Sequence, residues 1–189
     1  MTILAKEEHA LREEMVRIAA SFFQRGYATG SAGNLSLLLP DGNILATPTG
    51  SCLGNLDPQR LSKVDPQGEW LSGDKPSKEV RFHLALYRNN PCCKAVVHLH
   101  STWSTALSCL EGLDPQNVIR PFTPYVVMRM GDIPLVPTIA RGMTELPAIW
   151  LRWRPGIRPF YWLIMGRSCA GRICRKPLII PRSWKRRQS

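Results

Sequence analysis

Long apolar runs are absent from this sequence of 189 residues, and so is any regular cysteine framework. No stretch approaches the roughly 20 consecutive apolar residues that a membrane-spanning helix needs. The N-terminal segment carries charges of both signs and lacks the apolar core of a signal peptide. The six cysteines form no CxxC pair. We therefore expect a cytoplasmic protein with reduced thiols and no membrane partner.

Repeats and low-complexity linkers are also missing, and the composition does not favour disorder. Hydrophobic residues make up 44% of the chain and charged residues 21%, which excludes wholesale disorder. The length suits one domain of ordinary size with a buried core.

Acidic residues are nearly missing from the last part of the chain. Residues 1–137 hold 13 basic and 13 acidic residues, whereas residues 138–189 hold 12 basic residues and only Glu145. The whole net charge of +11 therefore lies in this tail. A basic tail could bind nucleic acid nonspecifically, but its charge coincides with a change in the character of the sequence, and we expect no specific nucleic-acid partner.

Apolar periodicity predicts alternating helices and strands before residue 138. The predicted elements are a helix from Leu4 to Phe22 ending at Gly26, a hairpin of strands 34–39 and 44–47, a short helix opening at Asp57-Pro58, a helix from Pro76-Ser77 to Asn89-Asn90, a strand over 94–100, a helix over 102–110 capped by Ser101, and extended segments over 125–130 and 133–137. This alternation predicts an α/β fold in which helices pack on a sheet.

The sequence His98-Leu99-His100 is the sharpest chemical feature. Alternate side chains of a strand share one face, so both imidazoles would point to the same side and could bind a divalent metal. The same spacing also suits a hydrogen-bonded histidine pair. Glu79, on the preceding predicted helix, could transfer a proton beside such a metal, or could be an ordinary solvent-facing glutamate. His83 and His9 are expected to be structural or exposed.

Three polar turns could bind an anion through backbone N–H groups, hydroxyls and a lysine. They are Gly33-Asn34, Thr49-Gly50-Ser51 and Ser77-Lys78. Each is also an ordinary turn composition, so turn chemistry alone leaves both interpretations open.

Four motifs in a fixed order resemble the class II aldolase/adducin family. They are Gly33-Asn34-Leu35-Ser36, Pro48-Thr49-Gly50, Pro76-Ser77-Lys78-Glu79 and Val97-His98-Leu99-His100. The resemblance covers residues 1–137. Residues 75–79 and 98–102 are most similar to the family branch that decarboxylates 3-oxo-tetronate 4-phosphates. The resemblance implies an α/β/α sandwich with a central mixed or antiparallel sheet and an aberrant C-terminal part.

The resemblance also implies a zinc-dependent lyase that converts a small phosphorylated sugar acid to dihydroxyacetone phosphate and CO2. One Zn²⁺ per subunit would be bound by His98, His100 and Glu79, and Glu79 would be the catalytic acid/base. The substrate phosphate would be held by Asn34, Thr49, Gly50, Ser77 and Lys78. Family members usually form homotetramers. The alternatives are a sugar-phosphate aldolase or 4-epimerase of the family, and a non-catalytic adducin-like interaction domain, which need not keep a metal site.

The tail departs from the family pattern. A third histidine, in a segment resembling ANHG, should complete the zinc site, yet no histidine follows His100. Residues 161–168 can be encoded so that the third base of each codon, read with the first two bases of the next, gives LANHGPV. The missing histidine then arises across Ile164 and Met165. With a choice among synonymous codons, the same shift can give YYRPGD from residues 137–143 and TEELE from residues 180–186, and both look like family segments.

A frameshift near Pro137-Thr138, in the gene or its sequencing, accounts for this agreement in one frame. We therefore predict a class II aldolase-like domain over residues 1–137 that is incomplete, and an out-of-frame, poorly ordered basic tail over residues 138–189. Because the tail lacks the third imidazole and was not selected to pack, the protein should be poorly stable and nearly inactive.

Overall fold

The computed structural model describes residues 3–91, 93–119, 123–124, 133, 135–137, 163–166 and 176–178. In this part of the chain no helix is both long enough and apolar enough to cross a membrane. The predicted extended segment 125–130 lies outside the described residues.

The first helix, α1, spans Ile3–Gln24 and ends as its sequence predicts. Gly26 adopts a left-handed backbone with φ of 73°. Its N–H donates to the Phe23 carbonyl at 2.9 Å, and the Tyr27 N–H donates to the Phe22 carbonyl at 2.9 Å. This pair of bonds is a Schellman cap, which needs a residue that tolerates positive φ. The rings of Phe22 and Tyr27 meet edge to face over it.

A five-stranded antiparallel sheet forms the centre of the fold, with strand order β4-β3-β2-β1-β5. The strands are β1 (Asn34–Leu38), β2 (Ile44–Ala46), β3 (Ser62–Val64), β4 (Trp70–Ser72) and β5 (Ala95–His98). The hairpin of β1 and β2 is confirmed. Strands β3 and β4 were not predicted, because three residues are too few to show a clear alternation.

Three helical segments connect the strands. They are a 3-10 helix over Pro58–Arg60, α2 over Val80–Asn89 and α3 over Thr102–Leu107. Asp57 caps the 3-10 helix and Ser101 caps α3, both through side-chain oxygens that accept backbone N–H groups, as predicted.

The predicted start of α2 at Pro76-Ser77 is wrong by about one turn. Pro76 instead forms a β-bridge with Pro48, and this extended pairing holds the chain out of a helix until Glu79. The predicted end of α3 at Leu110 is also too late, because the helix ends at Leu107.

Helices cover both faces of the sheet. Leu35 and Leu45 point toward α1 and share a buried cluster with Met15, Ala19 and Phe22. On the opposite face, a second cluster joins the sheet to α2 through Ile44, Ala46, Val64, Val80 and Leu84. Strands whose residues alternate between two apolar faces are buried on both sides. The predicted α/β/α sandwich with an antiparallel sheet is confirmed for the described part of the chain.

A smaller three-stranded sheet contains the described segments of the tail. Its strands are β6 (Leu135–Pro137), β7 (Leu163–Gly166) and β8 (Lys176–Leu178), in that order. Strand β6 pairs in parallel with β7, which pairs antiparallel with β8. The predicted extended segment 133–137 is confirmed over its last three residues.

Lys63 joins three elements through a half-buried ion network. Its Nζ donates to Glu8 of α1 at 2.7 Å and to Asp41 of the β1–β2 turn at 2.9 Å. Burial alone would raise the pKa of Glu8, but hydrogen bonds from Lys63 and Arg12 outweigh it and lower that pKa. Burial likewise opposes the lowered pKa of Asp41 and the raised pKa of Lys63. The network therefore fixes α1 against the hairpin.

Replacing Lys63 by Met is expected to cost about 1–2 kcal/mol of stability at pH 7, since two carboxylates lose their cation. Both carboxyl pKa values are lowered by folding, so their stabilisation is present above pH 4.5 and is lost as the pH falls through the folded values. The raised pKa of Lys63 reflects the same ion pairs, so on the alkaline side their stabilisation is lost as the pH rises above about 10.5. Urea unfolding at pH 7 and pH 3 measures this, with Lys94→Met as the exposed control. Equal losses in the two variants would contradict it.

Candidate active site

Three metal-ligating side chains converge where β5 ends and α2 begins. One donor atom each from Glu79, His98 and His100 can be chosen so that all three lie within 4.8 Å of one another. His98 is fully buried, and the other two side chains are half-buried. The two imidazoles stack with centroids 5.0 Å apart. His100 lies two residues beyond His98, the last residue of β5, so the two rings share one side although the strand is shorter than predicted.

The register of the sheet fixes the position of His98. In the antiparallel ladder, Asn34 of β1 lies directly opposite His98 of β5. Gly33 precedes this pair with φ of 86°, and a Cβ atom on it would lie 2.8 Å from the His98 carbonyl oxygen. Only glycine permits this close approach of the two backbones. The glycine of the first motif therefore brings β1 against the histidine strand.

Glu79 occupies the N-cap position of α2 and points its carboxylate toward the histidines. Its Oε2 lies 3.1 Å from His98 Nδ1 and accepts a hydrogen bond from Asn34 Nδ2 at 2.5 Å. The Glu79 N–H donates to Ser77 Oγ at 3.2 Å, which orders the turn before the helix. Such a cluster of one carboxylate and two imidazoles has the donor chemistry of a catalytic His2Glu zinc site.

The residues predicted to bind phosphate lie in two adjoining turns, apart from Asn34. The Pro48–Pro76 bridge and a bond from the Thr49 N–H to the Lys75 carbonyl at 2.9 Å hold these turns together. Ser77 is half-buried, whereas Thr49, Gly50 and Lys78 are exposed. Asn34 is buried and its amide nitrogen donates to Glu79.

A polar seam next to Glu79 is formed by the buried Ser36 and His83 and the half-buried Tyr87. Ser36 Oγ is 2.6 Å from His83 Nδ1 and 2.8 Å from the Tyr87 hydroxyl. Burial, reinforced by the nearby His98, lowers the pKa of His83 to about 3, so its imidazole is neutral at pH 7. Burial also raises the pKa of Tyr87, and a hydrogen bond with Ser36 opposes that rise only in part. His83 Nε2 has no hydrogen-bond partner within the described residues.

Phe82 connects this seam to the histidine pair. Its ring centroid lies 4.4 Å from that of His83 and 5.3 Å from that of His98. The sequence motifs predict no role in the site for Phe82, Ser36 or Tyr87. For His83 they predict only a structural or exposed position. A signal was present, because Glu79, His83 and Tyr87 recur every four residues and therefore share one face of a helix.

A family model of the class II aldolase and adducin N-terminal domain matches residues 13–158. The chain therefore belongs to the class II aldolase/adducin family, as its four motifs indicated.

Two curated relatives and one solved structure show which members of the family the chain is similar to. The chain is 80% identical over 155 residues to a 3-oxo-tetronate 4-phosphate decarboxylase of Escherichia coli O6:H1, with 78% of this chain and 73% of that protein covered. An L-fuculose phosphate aldolase of Methanococcus vannielii is 42% identical over 134 residues, covering 71% of this chain and 70% of the aldolase. The crystal structure of YgbL from Escherichia coli superposes with a TM-score of 0.72 at 80% identity, covering 75% of this chain and 69% of that one.

Proposed function

We propose that this chain is built as a zinc-dependent carboxy-lyase that converts a 3-oxo-tetronate 4-phosphate to dihydroxyacetone phosphate and CO2. The observation that carries the proposal is the convergence of Glu79, His98 and His100 within 4.8 Å. Two imidazoles and a carboxylate suit Zn²⁺, and three protein ligands leave a coordination position for substrate. The 80% identity to a decarboxylase of that name supports the substrate class.

In this proposal, each side chain has a role that its position allows. Bound zinc would supply a Lewis acid for the negative charge that develops as CO2 leaves. The bond between C1 and C2 breaks, its electron pair stays on C2, and one proton completes dihydroxyacetone phosphate. Glu79 would approach the metal when no substrate is present and would be free to deliver that proton once substrate takes its place, since its Oε2 lies 3.1 Å from His98 Nδ1 at the start of α2.

The two adjoining turns would bind the substrate phosphate. Lys78 supplies a positive charge, Thr49 and Ser77 supply hydroxyls, and Gly50 leaves its backbone accessible in an exposed turn. Ser77 and Lys78 lie just before the N-terminus of α2, where the helix dipole favours an anion. The Pro48–Pro76 bridge holds the turn of Thr49 and Gly50 beside them. Asn34 donates a hydrogen bond to the carboxylate of Glu79, the residue that follows Lys78.

A sugar-phosphate aldolase is the second candidate, favoured by the 42% identity to an L-fuculose phosphate aldolase. Both reactions would use the same metal and phosphate sites. We further propose assembly into homo-oligomers and residence in the cytoplasm, where Cys52, Cys93 and Cys109, which form no disulfide, would stay reduced.

Substrate profiling separates the two enzymes. Frame-corrected protein loaded with Zn²⁺ is expected to form dihydroxyacetone phosphate from 3-oxo-tetronate 4-phosphates, and Glu79→Gln is expected to lower kcat at least about 100-fold. A coupled assay that reduces dihydroxyacetone phosphate measures the rates of the unsubstituted protein and of Glu79→Gln. The control is Glu13→Gln, which lies on the exposed side of α1. Cleavage of L-fuculose 1-phosphate without turnover of the keto acid would replace the decarboxylase by the aldolase.

A further inference from the structure

Three hydrogen bonds join one face of α2 to one face of β1. Glu79, His83 and Tyr87 lie four residues apart on the helix, and Asn34 and Ser36 lie two apart on the strand. Their pairing is ordered, because Asn34 meets Glu79 while Ser36 meets both His83 and Tyr87. A helix face and a strand face in register at three points cannot slide past each other without breaking these bonds.

Burial of Ser36 and His83 restricts the hydrogen-bond arrangement of the seam. Ser36 is 2% exposed and His83 is fully buried. A polar group buried at such a depth is costly when it loses its partner, so the array has one preferred arrangement. The apolar contacts around it, between Ile44, Val80 and Leu84, are non-directional and would tolerate a small shift of the helix.

The same face of β1 leads directly to the metal ligands. Asn34 lies opposite His98 and Ser36 lies opposite Val96, so the β1–β5 ladder relates the seam to the histidine strand. Glu79 is the N-cap residue of α2, and its Oε2 lies 3.1 Å from His98 Nδ1 of the histidine strand. The distance between Glu79 and His98 therefore depends on how α2 is registered on β1.

We infer that Ser36, His83 and Tyr87 are positioning residues that set the register of α2 on β1 and thereby place Glu79 beside His98. Their function differs from that of core residues, because they determine the position of the Glu79 carboxylate rather than the amount of apolar surface that is buried. The inference deepens the proposed function, since it concerns the geometry of the same metal site.

Two conservative variants test this positioning. Tyr87→Phe and Ser36→Ala each remove one hydroxyl and little volume, and Tyr27→Phe removes a hydroxyl outside the seam as the matched control. The first readout uses metal-free protein, in which the ¹⁵N chemical shift of His98 Nδ1 reports its contact with Glu79. We expect this signal to move in both seam variants and to stay unchanged in the control. An unmoved His98 signal in both seam variants, whatever their thermal stability, would overturn the inference.

Zinc affinity gives the second readout. Competition with a chromogenic chelator is expected to show binding of Zn²⁺ about 10-fold weaker in each seam variant. In a Glu79→Gln background the same substitutions should have no further effect on zinc affinity, because the ligand that they position is already gone. Equal losses in both backgrounds would show a merely structural role. These affinities are measured in frame-corrected protein, and absence of zinc binding by that protein would refute the proposed function, while the metal-free His98 signal still decides the inference.

Discussion

Inserting one base at the codon for Thr138 is expected to raise the zinc affinity of the protein by at least about 100-fold. With the codons that the frameshift account requires, the insertion would replace residues 162–168 by LANHGPV and so supply a third imidazole. His98, His100 and the restored histidine would then give the zinc ion three protein ligands. The site would keep these three ligands even when the Glu79 carboxylate moves away from the metal to act on substrate. The gain therefore comes from a ligand that residues 138–189 do not contain.

The parent and the corrected protein should differ in turnover as well. The parent is expected to form dihydroxyacetone phosphate at no more than about one hundredth of the corrected rate, since a site with a missing ligand would hold zinc in only a small fraction of the molecules. A third protein, with the corrected frame but Ala in place of the restored histidine, controls for better folding of the tail. If this control turned over as fast as the corrected protein, the restored imidazole would not be a ligand. Full turnover by the parent would refute the frameshift account, and resequencing of the locus tests it directly.

Replacing His98 by Gln is expected to weaken zinc binding by at least about 100-fold in either form of the protein. His98 is fully buried, lies 3.1 Å from Glu79 and stacks on His100, so its loss removes one ligand and disturbs the other two. Glutamine keeps a polar side chain of similar reach but offers a much poorer ligand to Zn²⁺ than imidazole does.

The matched control is His9→Gln, which alters an exposed histidine of α1. Chelator competition and metal analysis of the dialysed proteins measure the difference. The His98 variant should remain folded by circular dichroism, so that loss of zinc is not loss of the fold. Equal zinc affinity in the two variants would remove His98 from the proposed ligand set.

Most of the fold was predictable where one face of an element is apolar. The period of α1, its glycine stop and the β1–β2 hairpin all follow from local patterns, and each is confirmed. The start of α2 was not predictable, because the Pro48–Pro76 bridge that delays it joins residues 28 positions apart. Local propensity contains no information on such a pairing.

In the candidate site, too, local features were predictable from the sequence, whereas contacts between distant parts of the chain were not. The spacing of His98 and His100 predicts two imidazoles on one side, and the structure places their rings 5.0 Å apart. The seam behind them was missed, because a four-residue spacing on a helix does not reveal which strand will face it. Ser36 becomes a partner of His83 only when β1 crosses α2, and this contact spans 47 positions of the chain.

The pairing of Asn34 with His98 also limits which changes in chain length this protein can accept. Side chains of a strand alternate between its faces, so a slip of β5 by one position would carry His98 to the α1 side of the sheet and Val97 to the α2 side. An insertion or deletion of one residue between Asn89 and Ala95 would favour such a slip unless the connecting turn absorbed it. Natural variants of this enzyme should therefore keep the spacing from α2 to β5 constant, and should differ in length at exposed turns such as the one between β3 and β4.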